Sequence, residues 1–173
     1  KFAHESFICI PKPLDLISYH QISILFLEWL DLKQPQQNML GKGLALLHKT
    51  SIEENNKNFG WEKEGFIGSN HQLRGWDSDW GKFFVNYRLR PQLIQAAKWG
   101  LLVEDYEDLL IYLCSYLNSH NPKVSLVHGD LWSGNCGSNA NGLGALYDPA
   151  SYWGDREVDI SMTKLFGGFN EEF

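Results

Sequence analysis

The sequence predicts an α+β fold, with strands at its start, helices through its middle and a polar hairpin loop near its end. Three observations carry that prediction. Residues 7–10 and 22–28 are short runs rich in apolar and β-branched side chains, the composition of strands. In three segments, around Met39 to Leu47, from Trp80 to Tyr87 and from Val103 to Leu117, apolar residues recur at helical spacing, the period of a helix with one buried face. A polar run from His128 to Asn135 is then bracketed by two further β-rich runs, residues 124–127 and 144–147.

Taken in order, the first two strands are separated by the turn-prone residues 11–15, Pro-Lys-Pro-Leu-Asp, and their content is typical of a buried sheet. Glu28, Trp29 and Leu30 end the second strand. Residues 35–37 separate it from an amphipathic helix around Met39, Leu40, Leu44 and Leu47, with His48 expected at the helix end. Gly41-Lys42-Gly43 does not form a phosphate loop, because neither G-x-G-x-x-G nor G-x-x-x-x-G-K-[ST] can be written there. Residues 51–58 are polar and expected in an exposed loop. Trp76-Asp77-Ser78-Asp79 supplies N-cap oxygens for a helix whose Trp80, Phe83, Phe84 and Tyr87 form an aromatic stripe suited to core packing. Pro91 predicts a kink or restart and Gly100 a stop. Val103, Tyr106, Leu110, Leu113 and Leu117 give the strongest helical signal, with Cys114 beside them expected to be inert.

The run from residue 128 to 135, His-Gly-Asp-Leu-Trp-Ser-Gly-Asn, followed by Asp148, carries the chemistry. Asp130 and Asn135 stand five positions apart after a short strand, and Asp148 ends the next one. That is the spacing of the protein-kinase-like pattern H-x-D-x-x-x-x-N and then D-x-x. Asp130 at the loop apex would orient and deprotonate an attacking hydroxyl. Asn135 and Asp148 offer hard oxygen ligands for magnesium on nucleotide phosphates. Residues 136–142 are turn chemistry, so a hairpin would bring Asn135 and Asp148 to the same end of two paired strands. The competing reading is a polar hairpin with Asp and Asn as turn formers, which does not explain why three positions agree.

The run HGDLWSGN, joined to residues 147–169, YDPASYWGDREVDISMTKLFGGF, resembles the fructosamine kinase (ketosamine 3-kinase) family. Upstream, Phe59-Gly60-Trp61, Phe66-Ile67-Gly68, Trp76, Asp79-Trp80, Phe83-Phe84, Arg88-Leu89 and Gln92-Leu93 resemble that family's central segment in order. The resemblance implies a protein-kinase-like fold of the aminoglycoside phosphotransferase type. Residues 1–30 would be a remnant of the N-lobe sheet with the hinge, and residues 31–173 a mainly helical C-lobe with the catalytic hairpin. It also implies that most of the N-lobe, with its Gly-rich loop and strand lysine, and the last C-terminal helices are missing, so the chain alone is expected to turn over little. The implied reaction is ATP-dependent phosphorylation of a sugar hydroxyl on ketosamines, the adducts of sugars with amines, which leads to deglycation. ATP and Mg2+ are the implied cofactors.

On that resemblance Asp130 is the proton acceptor and Asn135 with Asp148 the metal ligands. The backbone of the hinge residues Glu28, Trp29 and Leu30 would meet adenine, although an ordinary strand end reads the same way. His128 stands where the kinase fold braces its catalytic loop. Asp159 resembles the Asp that hydrogen-bonds back to the loop backbone, and a helix N-terminal acid favoured by the macrodipole is an equal description. Trp132 either stacks on the sugar or its amine-bearing portion, or packs under the loop. A kinase of the same fold acting on an aminoglycoside, choline or homoserine-like acceptor, and a noncatalytic fragment, remain as alternative readings.

Composition bounds the rest. In 173 residues, 43% hydrophobic and 14% aromatic, there is enough apolar content for a real core. The net charge of -6 argues against nucleic acid as a partner. No run is apolar and long enough to span a bilayer, which argues against a membrane partner, and no signal-peptide pattern is present. Cys9, Cys114 and Cys136 make an odd count without a C-x-x-C pair, so a reduced, cytoplasmic compartment is expected. The expected partner is a small-molecule or protein-bound ketosamine, with self-association through exposed apolar surface.

Overall fold

The computed structural model describes residues 1–54, 56–100 and 106–173, so Val103 lies outside the described residues. In chain order the elements are α1 (Phe2–Glu5), β1 (Pro13–Tyr19), β2 (Ile22–Leu27), α2 (Gln37–Ile52), β3 (Phe59–Trp61), β4 (Gly65–Ile67), β5 (Asn70–Gln72) and β6 (Gly75–Asp77). They continue with α3 (Trp80–Phe84), a π-helical turn (Val85–Leu89), α4 (Arg90–Lys98), α5 (Glu107–Asn118) and β7 (Ser125–Val127). A 3-10 turn (Ser133–Asn135), β8 (Cys136–Ser138), β9 (Gly144–Leu146), β10 (Tyr152–Gly154) and α6 (Glu157–Phe166) complete them. Two compact units result. The first comprises residues 1–50, 131–149 and 160–173, the second residues 51–130 and 150–159.

In the first unit β1 and β2 form an antiparallel hairpin that turns at His20, whose φ is 53°. Two sequence expectations are corrected here. Pro13, Leu14 and Asp15 are strand rather than turn, while residues 7–10 contribute only a bridge from Cys9 to Ala145. Proline fits because it opens an edge strand, where the ladder needs no N–H from it. Nor is the hairpin buried: every residue of both strands is exposed. The core of this unit lies instead under α2, where Leu40, Leu44 and Leu47 pack with Ile8, Leu131, Cys136 and Leu146. His48 is buried within α2, more than three residues before its last residue, and not at the helix end.

The second unit is organised by a four-stranded antiparallel sheet in the order β6-β3-β10-β7. Its core joins Phe59, Trp80, Phe83, Val127 and Tyr152, so the aromatic stripe of α3 packs as the sequence predicts. Asp79 is the N-cap of α3 and accepts the Lys82 amide at 2.8 Å. Pro91 marks a restart, as the sequence predicts. The π-helical turn lengthens the path just before it, and proline then occupies the first turn of α4, where its missing N–H costs no helical bond. That turn presents Arg88, whose guanidinium lies 4.8 Å from the Phe83 ring and 4.2 Å from the Tyr152 ring. Residue 51 departs from the expected exposed loop: Ser51 is fully buried in the last turn of α2, and its Oγ accepts the Leu126 amide at 2.9 Å.

Candidate active site

The loop that follows β7 is fixed by backbone hydrogen bonds. Val127 is fully buried, and the next residue, His128, is nearly so. The His128 amide donates to Asp159 Oδ2 and the Gly129 amide to Asp159 Oδ1, each at 2.9 Å. His128 O accepts the Ala150 amide at 2.9 Å, and the Asp130 amide donates to His128 Nδ1 at 3.3 Å. Gly129 has φ 84°, and a Cβ there would fall 2.3 Å from Ala150 O, so only glycine lets the loop lie against that carbonyl. Asp159 is fully buried in the first turn of α6, so it is a helix N-terminal acid and a loop bracket at once. Two amide hydrogen bonds into one buried carboxyl group restrain the backbone entering Asp130. Burial also holds the neighbouring Tyr152 phenol above its ordinary range, so it stays protonated.

Asn135 and Asp148 belong to the first unit and are brought together there. Asn135 immediately precedes β8 and Asp148 lies two residues past the end of β9, so the β8–β9 hairpin places both at one end. Asn135 Nδ2 donates to Asp148 O at 3.4 Å, and the Tyr147 amide donates to Asn135 O at 3.1 Å. The expected turn at residues 136–142 is corrected: Cys136, Gly137 and Ser138 are strand, while β7 pairs with β10. Period-2 composition missed β8 because Gly and Ser are poor strand formers in isolation. Asp148 carries φ 50°, a left-handed conformation that Asp adopts more readily than most residues.

Trp132 is 40% exposed. Its ring lies 6.1 Å from the Phe166 ring and covers Gly134, where a Cβ would come within 2.2 Å of the indole. It therefore packs on its own loop while presenting an open face. Gly168 abuts Ser133 in the same way, 2.5 Å from its Cβ if a side chain were added. At the end of β2 the Glu28 amide donates to Lys12 O at 2.8 Å, Trp29 is 90% exposed and Leu30 is half-buried. Among the described residues no group of three or more His, Cys, Asp and Glu side chains could hold a metal ion. Magnesium needs fewer protein ligands than that, since it keeps waters and phosphate oxygens, and an amide oxygen beside a carboxylate suits it.

Two residues escaped the sequence reading. Asp155, just ahead of α6, is buried and accepts the Glu157 amide on Oδ1 at 3.2 Å, and its Oδ2 meets His120 Nε2 at 2.7 Å. An acid ahead of an apolar-periodic helix is a cap signal that could have singled out Asp155; nothing local marks His120.

The sequence profile of the fructosamine kinase family matches residues 1–173, the whole chain. This chain belongs to the fructosamine kinase family. A relative from Vibrio parahaemolyticus, named "Probable ketoamine kinase", is 41% identical over 133 residues, 77% of this chain and 45% of the relative. One of the same name from Synechocystis is 36% identical over 169 residues, 96% of this chain and 56% of the relative. A solved structure from Haemophilus somnus, described as a candidate fructosamine-3-kinase, superimposes with a TM-score of 0.87 at 29% identity, covering 99% of this chain and 58% of that one. The fold of this fructosamine kinase family member is thus protein-kinase-like, with mixed helices and strands. The chain spans about half the length of the curated relatives it matches.

Proposed function

We propose that this chain is part of a ketoamine kinase that transfers phosphate from ATP to a sugar hydroxyl of a fructosamine-type adduct, small or protein-bound. The observation that carries the reading is the family match, which runs through the whole HGDLWSGN loop and the Asp148 hairpin. Asp130 is the general base: it accepts the proton of the attacking hydroxyl as the oxygen–phosphorus bond forms. The Asp159 bracket limits the backbone motion that would move its carboxylate. His128 supports the same loop through Nδ1. Asn135 and Asp148 would hold Mg2+, which supplies charge neutralisation on the phosphates when bound. The open face of Trp132 suits the C–H faces of a sugar, and the backbone of Glu28, Trp29 and Leu30 suits adenine, with residues 1–30 as the end of the nucleotide-side lobe. A cytoplasmic setting belongs to the same reading and is supported by three free cysteines.

The test is phosphate transfer from Mg-ATP to fructosyl-lysine. In the full-length kinase of which this chain is proposed to be part, Asp130→Asn is expected to lower turnover about 10² to 10⁴-fold with ATP affinity nearly unchanged, because a base acts in the transition state. Unchanged turnover would remove Asp130 from that role. Preference for an aminoglycoside or choline over fructosyl-lysine would overturn the substrate assignment while leaving the reaction class intact.

A further inference from the structure

We propose that His120 is a positioning residue of the catalytic loop, acting through Asp155 and the first turn of α6 to keep Asp159 on the amides of His128 and Gly129. The chain of contacts lies wholly within the second unit. It begins at the half-exposed imidazole of His120, whose Nε2 lies 2.7 Å from Asp155 Oδ2. Asp155 is 4% exposed, and a carboxylate so buried is stable only when both oxygens have partners. Its other oxygen accepts the Glu157 amide, and its carbonyl accepts the Val158 amide at 3.0 Å, so Asp155 closes the start of α6. Asp159 follows one helical turn later, with its own amide on Arg156 O at 3.1 Å. A displacement of Asp155 is therefore carried by a short rigid turn to the two oxygens that bracket the loop.

The other end of the chain of contacts is equally fixed. His120 sits just beyond α5, where Asn118 donates to Asp79 Oδ1 at 2.8 Å and accepts the Gly81 amide at 2.9 Å. Asn121, at φ 52°, returns its amide to Asn118 O at 3.1 Å, which fixes the turn carrying His120. Arg156, the nearest guanidinium in sequence, is engaged with Glu157 on the exposed side at 3.5 Å. His120 is thus the side-chain partner of Asp155, and through it the ends of α3 and α5 are tied to the loop that leads into Asp130. The inference rests on the phosphoryl-transfer reading only for what the loop is used for.

Residue-resolved amide hydrogen exchange on the 173-residue chain tests it without requiring turnover. His120→Ala is expected to speed exchange at His128 and Gly129 by about tenfold, the loss of one charge-assisted hydrogen bond upstream. His120→Gln, whose amide nitrogen still donates to Asp155, is expected to restore most of the protection. Amides of β3 in the same unit are expected to keep their wild-type rates. Unchanged exchange at His128 and Gly129, equal acceleration in β3, or a His120→Gln variant no better than His120→Ala would each overturn the proposal. Should Asp130→Asn retain turnover, the reading of the base falls while the exchange result stands on its own.

Discussion

Of the two hairpins in the first unit, the longer and more apolar, β1–β2, exposes every residue, whereas β8–β9, with three residues a strand, is buried throughout. Composition predicts the opposite. Ile-Ser-Ile-Leu-Phe-Leu has every mark of a core strand, and Cys-Gly-Ser has none. What separates them is a second layer. A Cβ on Gly144 would fall 2.9 Å from Leu40 Cα, so α2 rests almost directly on the β9 backbone, and small residues make that approach possible. Cys9 and Lys33 bridge to Ala145 and Ser138, so neither edge of β8–β9 is bare. The buried hairpin carries Asn135 and Asp148 at its end. Burial thus falls on the hairpin that bears the two residues proposed to hold a metal ion.

The comparison breaks most sharply by truncating one leucine in each hairpin. Leu146→Ala in β9 is expected to cost about 2–5 kcal/mol by chemical denaturation, and Leu25→Ala in β2 to stay within about 0.5 kcal/mol. Equal losses would show that the exposed hairpin is packed in solution. Next in size, Gly144→Ala should cost about 1–3 kcal/mol, because the added methyl must push the Leu40 backbone.

Cys136 of β8 sharpens the contrast through pH. Burial pushes its thiol up to about 11 from an ordinary 9.0. A folded-state value above the unfolded one favours the fold while the thiol is protonated in both states. That contribution is therefore complete below about pH 9 and disappears as pH rises through about 11. Native Cys136 is expected to resist iodoacetamide at pH 8 and to react once denatured, with peptide mass as the readout; rapid native labelling would show that β8–β9 opens. The smallest effect on stability, within about 0.5 kcal/mol, is expected for Phe26→Ser in β2. The same change should reduce self-association in sedimentation, since it interrupts an exposed apolar strand pair.

Legibility followed locality. The amphipathic stripe of α2, the Asp79 cap, the aromatic core of α3 and the spacing of Asp130, Asn135 and Asp148 were all readable, because each depends on residues within a few turns of one another. The partner of β7 was not, since strand pairing over 25 residues leaves no local trace: Val127 faces Tyr152. Nor was the pairing of His120 with Asp155, thirty-five residues apart.

By itself the sequence determined the family, the α+β class and the identity of the loop that carries Asp130, because periodicity, turn chemistry and motif spacing are properties of short stretches. Only the tertiary structure decided which hairpin is buried, that Ser51 and His48 lie inside, and that His120 meets Asp155. Those outcomes turn on which surfaces meet across long sequence separations. Burial and hydrogen-bond partnership belong to the pair of surfaces, so no residue's own chemistry encodes them alone.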